Sequence, residues 1–423
     1  MLLNYKFENF MSFREQVEFS MLAPKTKVKK RFPDNYIVAD QGGDVLKTAV
    51  IVGENAGGKS NFVRSLEYLK SFFQENKELK AYKGSVNVNN QRGICMKIND
   101  TCQMFEIEIV YEDKGFYLYH LEIDFLGIVR EELRYKKQYK HKYKQVFTAW
   151  REQCVLKCEE DEKFCLEKSK CHTSAMVRYE IRKVDFESKM REAFLEKVSN
   201  QPFIGLIITK LALLGDEHAV NFTKWMMHSL CPETNMINYD IYKTMRNEEE
   251  DFKILNDPRY LEIFRMIDTS IVEIMLHEDM PFTKSLIIRR KADGSTFSRE
   301  LSQDSSGVRE YFAWAVEIFK VVYEDKIVFA DEMDRVLNPV LSDRVVAFVN
   351  GKAHRGQFIF TTHNVLHLDL RNYMKEQIYF ISKDVESLES ELYSLADFPE
   401  IRYETSKIYE FYMKGILGGT VVE

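Results

Sequence analysis

The segment GENAGGKS, residues 53–60, places Gly53, Gly58, Lys59 and Ser60 at the fixed positions of an eight-residue phosphate loop. Glycines at such positions let successive backbone N–H groups turn inward as an anion nest, and the start of a following helix adds positive potential. Lys59 then reaches the outer phosphates of a nucleotide and the Ser60 hydroxyl ligates Mg²⁺. Glu54, Asn55, Ala56, Gly57 and Asn61 complete the cradle. Both flanks suit that use. The apolar run LKTAVIV enters the loop as a strand, and SNFVRSLEYLKSFF leaves it with Phe62, Leu66, Leu69 and Phe73 on one side of a helix.

A phosphate loop needs further groups for the metal and the attacking water, and KIVFADEMDR supplies two. Asp331 follows the apolar run 327–330, so it emerges at the carboxyl end of a buried strand and can hold Mg²⁺ through a water. Glu332, next in the chain, is placed to act as general base. In QFIFTTHNV, His363 stands at the end of another apolar strand, from which an imidazole can reach a terminal phosphate. In LSQDSSGVREYF, Ser305, Ser306 and Gly307 precede a helix and form a second small-residue anion site, 26 residues ahead of Asp331.

The elements that must position these residues read as α/β. Strands are expected at 2–7, 17–21 and 48–52, a hairpin over 105–123 turns at Asp113-Lys114-Gly115, and strand character continues to about Lys168. From about Ala175 to Met280 apolar residues recur at three and four spacing, which predicts a helical insertion. A hairpin at Asp293-Gly294, a helix to about Tyr323 and strands at 327–330, 358–361 and 378–381 follow. The expected organisation is a lobe over 1–174 holding the phosphate loop and a β-rich subdomain, an insertion over 175–284, and a second lobe over 285–423. The chain has 423 residues, 45% of them apolar, and a formal net charge of -6, so nucleic acid could be bound only through a local basic patch. The start lacks the charge pattern of a signal peptide and the longest apolar run, 203–214, is too short to span a membrane, so a cytoplasmic protein is expected.

Two local clusters carry open readings. Cys154, Cys158, Cys165, Cys171 and His172 crowd together, but only Cys154 and Cys158 approach the spacing of a zinc knuckle, and Cys154, Leu156 and Cys158 equally suit one face of a strand. In the basic stretch 134–144, read as a strand, Tyr135, Tyr139 and Tyr143 share one face and Arg134, Lys136, Lys140, Lys142 and Lys144 the other. That pattern is either a nucleic-acid surface with stacking rings or an edge strand defended by lysines. A second basic edge runs through KTKVKKR, 25–31.

Taken together, GENAGGKSN, DSSGVRE, FADEMDRVLNP and TTHN, with FENFMSF near the start, resemble the motifs of an ABC-type AAA ATPase. The branch is the one that includes SMC and RecF proteins and the OLD-like ATPases. The closing stretch ELYSLADFPEIRYETSKIYEFYMKGILGG is similar to the tail of ATPases found in abortive-infection (Rlo-type) defence systems. The resemblance implies a P-loop NTPase head with an antiparallel β subdomain. It implies ATP and Mg²⁺ as cofactors and a homodimer, or a higher homo-oligomer, that shares its nucleotides between heads. Ser305 and Gly307 would then contact the γ-phosphate held by the other subunit, and Asp334 would line the seam. A glutamine loop, which the resemblance also implies, is not placed. A GTPase is disfavoured by the lack of an Asn-Lys-x-Asp element, and the 60 residues after His363 are too few for a nuclease domain. The expected role is therefore an ATP-hydrolysing sensor or switch of an anti-phage complex with a separate effector, such as a nuclease. A RecF-like DNA-binding repair protein and a scaffold that binds ATP without turnover are the alternatives.

Overall fold

The computed structural model describes residues 1–38, 42–74, 96–97, 102–111, 114–124, 127–154, 163–164, 177–182, 205–233, 248–333, 337–403 and 407–418. Two main sheets, one largely parallel and one antiparallel, with the helices between and around them, make the α/β fold.

One sheet has six strands in the order Leu230–Glu233, Ile327–Ala330, Gln357–Thr362, Thr48–Gly53, Ile378–Lys383 and Ser390–Ser394. Every neighbouring pair is parallel except the last. The central strand TAVIVG is buried at all six positions, as a strand covered on both faces must be. Its side chains divide between two cores by their alternation: Ala49 and Ile51 face one, Val50 and Val52 the other. The long helix Ser306–Glu324 supplies much of the second core through Tyr311, Phe312, Ala315, Ile318 and Val322.

A second large sheet has seven antiparallel strands, in the order Val177–Arg182, Lys144–Cys154, Gly127–Lys136, Gly115–Asp124, Gln103–Tyr111, Leu2–Glu8 and Val17–Ser20. Alternation sends Tyr5, Phe7, Phe105, Ile107 and Ile109 inward. Charged residues such as Lys6, Glu106, His120 and Glu122 hold the opposite face, where His120 lies 3.3 Å from Glu106 and 2.8 Å from Glu122. The helix Lys59–Ser71 lies between the sheets. Its Phe62 packs against Tyr5 and Phe7 on one side and Phe329 on the other, and the Tyr5 hydroxyl donates to Ser65 Oγ at 2.9 Å.

The stretch 175–284 departs from the helical expectation. It does hold the helices Ile207–Leu213, Glu217–His228, Glu248–Leu255 and Pro258–Phe264. VRYEIR, however, is the edge strand Val177–Arg182, LCPE is a strand of the parallel sheet, and Ile271–Met275 pairs in a hairpin with Leu286–Arg290. Short apolar runs satisfy both periods, and the strands they pair with decided these three. Among the described residues no helix is long and apolar enough to cross a membrane.

The basic stretch 134–144 is also not one strand. Chain direction reverses between Lys136 and Lys144, with His141 N–H donating to Gln138 O at 3.0 Å, so the period-2 assignment of faces fails. All three tyrosines turn toward the protein: Tyr135 onto Tyr117 and His218, Tyr139 onto Phe116, and Tyr143 hydroxyl onto Glu108 at 2.5 Å. Lys136 is buried beside Tyr143, Tyr139 and Phe116. The three rings are partly buried against the protein, and Lys137, Lys140, His141, Lys142 and Lys144 are exposed at and beside the turn. Of the cysteine cluster, the side chain of Cys154 and all of Cys158, Cys165, Cys171 and His172 lie outside the described residues.

Candidate nucleotide-binding site

Three parallel strands deliver their carboxyl ends to one place. Thr48–Gly53 ends in the glycine loop, Ile327–Ala330 ends in Asp331 and Glu332, and Gln357–Thr362, which lies between them, ends in His363. The carboxyl edge of an open parallel sheet is where ligands bind in this class of fold.

The loop has the backbone that its residues allow. Gly58, the residue before the helix, has φ +119°, and a Cβ there would stand 2.5 Å from Ser390 Oγ and 3.1 Å from Ser12 Oγ. A Cβ on Gly53 would meet Ile381 O at 2.5 Å. Ala56 also adopts positive φ, at 61°, on the exposed turn of the loop beside Asn55. The loop is held from outside by hydroxyls: Ser390 Oγ donates to Gly57 O at 2.6 Å and lies 2.8 Å from Ser12 Oγ, which accepts from Asn61 Nδ2 at 2.8 Å.

Lys59 is 4% exposed, and its ammonium donates to Gly53 O at 3.0 Å and Glu54 O at 2.8 Å. It lies 3.3 Å from His363 Nδ1. An ammonium has no acceptor, so Nδ1 accepts, and the neutral ring carries its proton on Nε2. That nitrogen is 3.2 Å from Glu332 Oε1. Lys59, His363 and Glu332 thus form one chain of donors and acceptors.

The acid pair is oriented by Thr361. Its hydroxyl donates to Asp331 Oδ1 at 2.7 Å and accepts the Glu332 N–H at 2.9 Å, so one buried side chain holds the Asp331 carboxylate and the backbone from which Glu332 projects. Glu332 has φ 48°, a conformation that branched or bulky residues avoid, and the turn sends its carboxylate to the imidazole. Burial pushes the Asp331 carboxyl above its ordinary range, against hydrogen bonds from Ser60 and Thr361 and the positive charge of Lys59. The Ser60 hydroxyl and the Asp331 carboxylate are therefore neighbours, and both are hard oxygen donors of the kind that Mg²⁺ prefers. The residues present fit a magnesium nucleotide: Ser60 and Asp331 would hold the ion, which neutralises phosphate charge when bound. The loop amides and Lys59 would hold the phosphates, and Glu332 would take a proton from water.

The expected residues are not all brought together. Gly53, Glu54, Gly57, Gly58, Lys59, Ser60, Asp331, Glu332 and His363 share this cluster through the contacts above. Ser305 and Gly307 belong to a different helix start, where Ser305 Oγ accepts the Val308 N–H at 3.4 Å and Ser305 and Ser306 face solvent. Asp334 lies outside the described residues. Four residues escaped sequence reasoning: Thr361, Ser390, Ser12 and Glu233, whose carbonyl accepts the Asp331 N–H at 3.2 Å. The TTHN motif contains Thr361, but only the strand order puts it beside Asp331.

No family model and no curated protein matches the chain. Solved structures that resemble it include the SmcHead bound to the C-winged helix domain of ScpA, at 13% identity and a TM-score of 0.42, covering 93% of this chain and 97% of that one. An SMC head domain from Thermotoga maritima is 12% identical with a TM-score of 0.39, covering 93% and 98%. The Smc head domain with an extended coiled coil bound to the C-terminal domain of ScpA, derived from Pyrococcus furiosus, is 14% identical with a TM-score of 0.41, covering 93% and 96%. Likenesses this distant carry no functional argument.

Proposed function

We propose that the chain is a Mg²⁺-dependent ATPase whose two copies close over shared nucleotides, and that turnover switches the closed pair open. The observation that carries this reading is the connected cluster of Lys59, His363, Glu332, Thr361, Asp331 and Ser60 at the loop. It supplies a phosphate-binding cation, a carboxylate and hydroxyl for the metal, and a carboxylate base in one place. A nucleotide contacted by both copies adds affinity only to the closed state, and hydrolysis removes that difference. The exposed Ser305–Gly307 helix start suits such a contact from the second copy. The role we assign is the sensor or switch subunit of an anti-phage, abortive-infection complex with a separate effector, possessing nuclease activity or another toxic chemistry. Support for that role is the likeness of the motifs and tail to Rlo-type ATPases.

The test is steady-state ATP turnover with Mg²⁺ by the wild type and by Glu332→Gln. Loss of a general base lowers the rate by roughly 10²–10⁴ while leaving nucleotide binding intact. Equal rates would remove Glu332 as the base and favour a scaffold.

A RecF-like nucleic-acid-binding role is the second reading. It is favoured by the exposed cations Lys137, Lys140, Lys142 and Lys144 at the hairpin tip and Lys25, Lys27, Lys30 and Arg31 elsewhere on the surface. With the tyrosines packed against the protein, such binding would rest mainly on phosphate contacts, so it should depend little on sequence and fall steeply with salt. Charge reversal at Lys140, Lys142 and Lys144 should abolish it.

A further inference from the structure

The helix start at Ser305 is held from beneath by one arginine. Between Leu301, fully buried, and Val308, 8% exposed, the chain runs through SQDSSG, and Asp304 alone among these six turns its side chain inward, with 5% of it exposed. Asp304 Oδ2 lies 2.8 Å from Nη2 of Arg289. Its Oδ1 accepts the Ser305 N–H at 3.1 Å, so the carboxylate is tied directly to the first residue of the turn. Arg289 is 7% exposed, on the strand Leu286–Arg290. Its Nε donates to Asp268 Oδ2 at 2.8 Å. Asp268 is in turn fixed through Oδ1, which accepts from the Ser270 N–H at 2.9 Å and hydroxyl at 2.6 Å.

A buried guanidinium between two carboxylates has a rigid fork whose separate prongs set the distance between its partners, which the single point charge of lysine cannot do. Removing it leaves Asp304 buried and unpaired, so the turn must move to rehydrate that charge. The rest of the helix would stay in place, because Tyr260 hydroxyl donates to Phe312 O at 2.6 Å and Tyr311 hydroxyl to Ile263 O at 3.2 Å further along it.

We propose that Arg289 is a positioning residue for the Ser305–Gly307 helix start. It touches no nucleotide; it fixes the turn that presents Ser305 and the amides after it, and it ties that turn to the Asp268–Ser270 corner. This rests on the reading of the start as a contact to nucleotide held by a second copy. Because that contact is made only in the closed pair, Arg289 acts on turnover and on ATP-dependent association, and not on nucleotide affinity at the loop of the free chain.

The full chain carrying Arg289→Met, with Arg289→Lys and the milder Asp268→Asn as second variants should the first not fold, tests this. Four quantities are measured: affinity for a fluorescent ATP analogue with Mg²⁺, ATP turnover, association with ATP present, and hydrogen exchange of the amides at 305–308. Arg289→Met should leave the dissociation constant within twofold, lower kcat at least tenfold, abolish ATP-dependent association and speed exchange at 305–308 at least tenfold. Arg289→Lys should fall between. Unchanged exchange at 305–308 in a folded variant would overturn the proposal, as would affinity and kcat falling together in step with lost folded protein. If the wild type neither turns over nor associates with ATP, the shared-nucleotide reading fails, while the exchange result still decides whether Arg289 fixes the turn.

Discussion

Thr361→Val separates the acid pair from the side chain that orients it. Valine keeps the β-branched shape that the strand Gln357–Thr362 requires and removes only the hydroxyl. Two hydrogen bonds go: the 2.7 Å donation to Asp331 Oδ1 and the 2.9 Å acceptance from the Glu332 N–H. The first serves a buried carboxylate and is worth about 1.5–3 kcal/mol, and leaving the partly buried N–H without an acceptor costs about 1 kcal/mol more. Thr361 is 0% exposed, so water does not readily replace the hydroxyl, and a loss of about 2.5–4 kcal/mol in unfolding free energy is expected. Turnover should fall further than stability suggests, because a catalytic carboxylate misplaced by roughly 1 Å costs about 10²-fold. The Asp331 carboxyl, already raised by burial, loses one of the hydrogen bonds that lower it. Since the proton must leave before a metal binds, the acid limb of the Mg²⁺-dependent rate should move to higher pH. Urea unfolding at neutral pH and ATP turnover across pH measure both effects. Thr361→Ser, which keeps the hydroxyl, should restore the pH profile. A Thr361→Val protein with turnover within threefold of wild type and an unmoved acid limb would refute the orienting role.

Gly58→Ala should cost at least tenfold in nucleotide affinity and about 1–2 kcal/mol in stability, since an L-residue is strained in the left-handed region. The new Cβ would stand 2.5 Å from Ser390 Oγ, a hydroxyl already bonded to Gly57 O, and titration with a fluorescent nucleotide alongside urea unfolding checks both effects. Glu131 gives a pH prediction away from the site. Its carboxylate accepts the N–H groups of Ile207 and Ile208, at 2.8 and 2.9 Å, and the Tyr119 hydroxyl at 3.1 Å, yet burial raises its carboxyl from 4.5 to about 7. A raised carboxyl binds its proton more tightly in the folded state, so stability from this group is greatest below about pH 4.5, declines as pH rises toward 7 and is flat above. At 1.36 kcal/mol per unit the whole decline is about 3 kcal/mol. Glu131→Gln, which mimics the protonated form, should remove that part of the slope, and urea midpoints of both proteins at pH 5 and pH 8 would reveal a slope unchanged by the substitution if the assignment is wrong.

The glycine loop and the acid pair were legible because each is a run of consecutive residues whose chemistry depends on local spacing. The central strands were legible for a related reason: TAVIVG and IVFA are apolar throughout, which only a strand covered on both faces tolerates. LCPE was hidden because it is four residues long, contains a proline, and follows the helix Glu217–His228 directly, so nothing but its parallel pairing with Ile327–Ala330 makes it a strand. The tyrosine-lysine stretch misled for the opposite reason. Its alternation was present in the letters, but a turn without glycine, proline or asparagine reversed the chain inside it, and the rings followed the core instead of the period.

Supporting residues of the site show the same division. Ser12 and Ser390, 378 positions apart, meet because the antiparallel strand Ser390–Ser394 closes the sheet beside the loop, with the Ser390 N–H donating to Ser12 O at 2.7 Å. Thr361 meets Asp331 because Gln357–Thr362 is inserted between the loop strand and the acid strand, so the residue that orients the carboxylates comes from a strand that precedes neither. A motif names the groups that do chemistry. The groups that aim them are set by which strand lies next to which and in what register, while alternation along each strand decides which core a side chain enters, as it does for Ala49, Val50, Ile51 and Val52. A slip of Gln357–Thr362 by one residue against Ile327–Ala330 would turn Thr361 to the opposite face of the sheet and carry it away from Asp331, even with every motif residue intact.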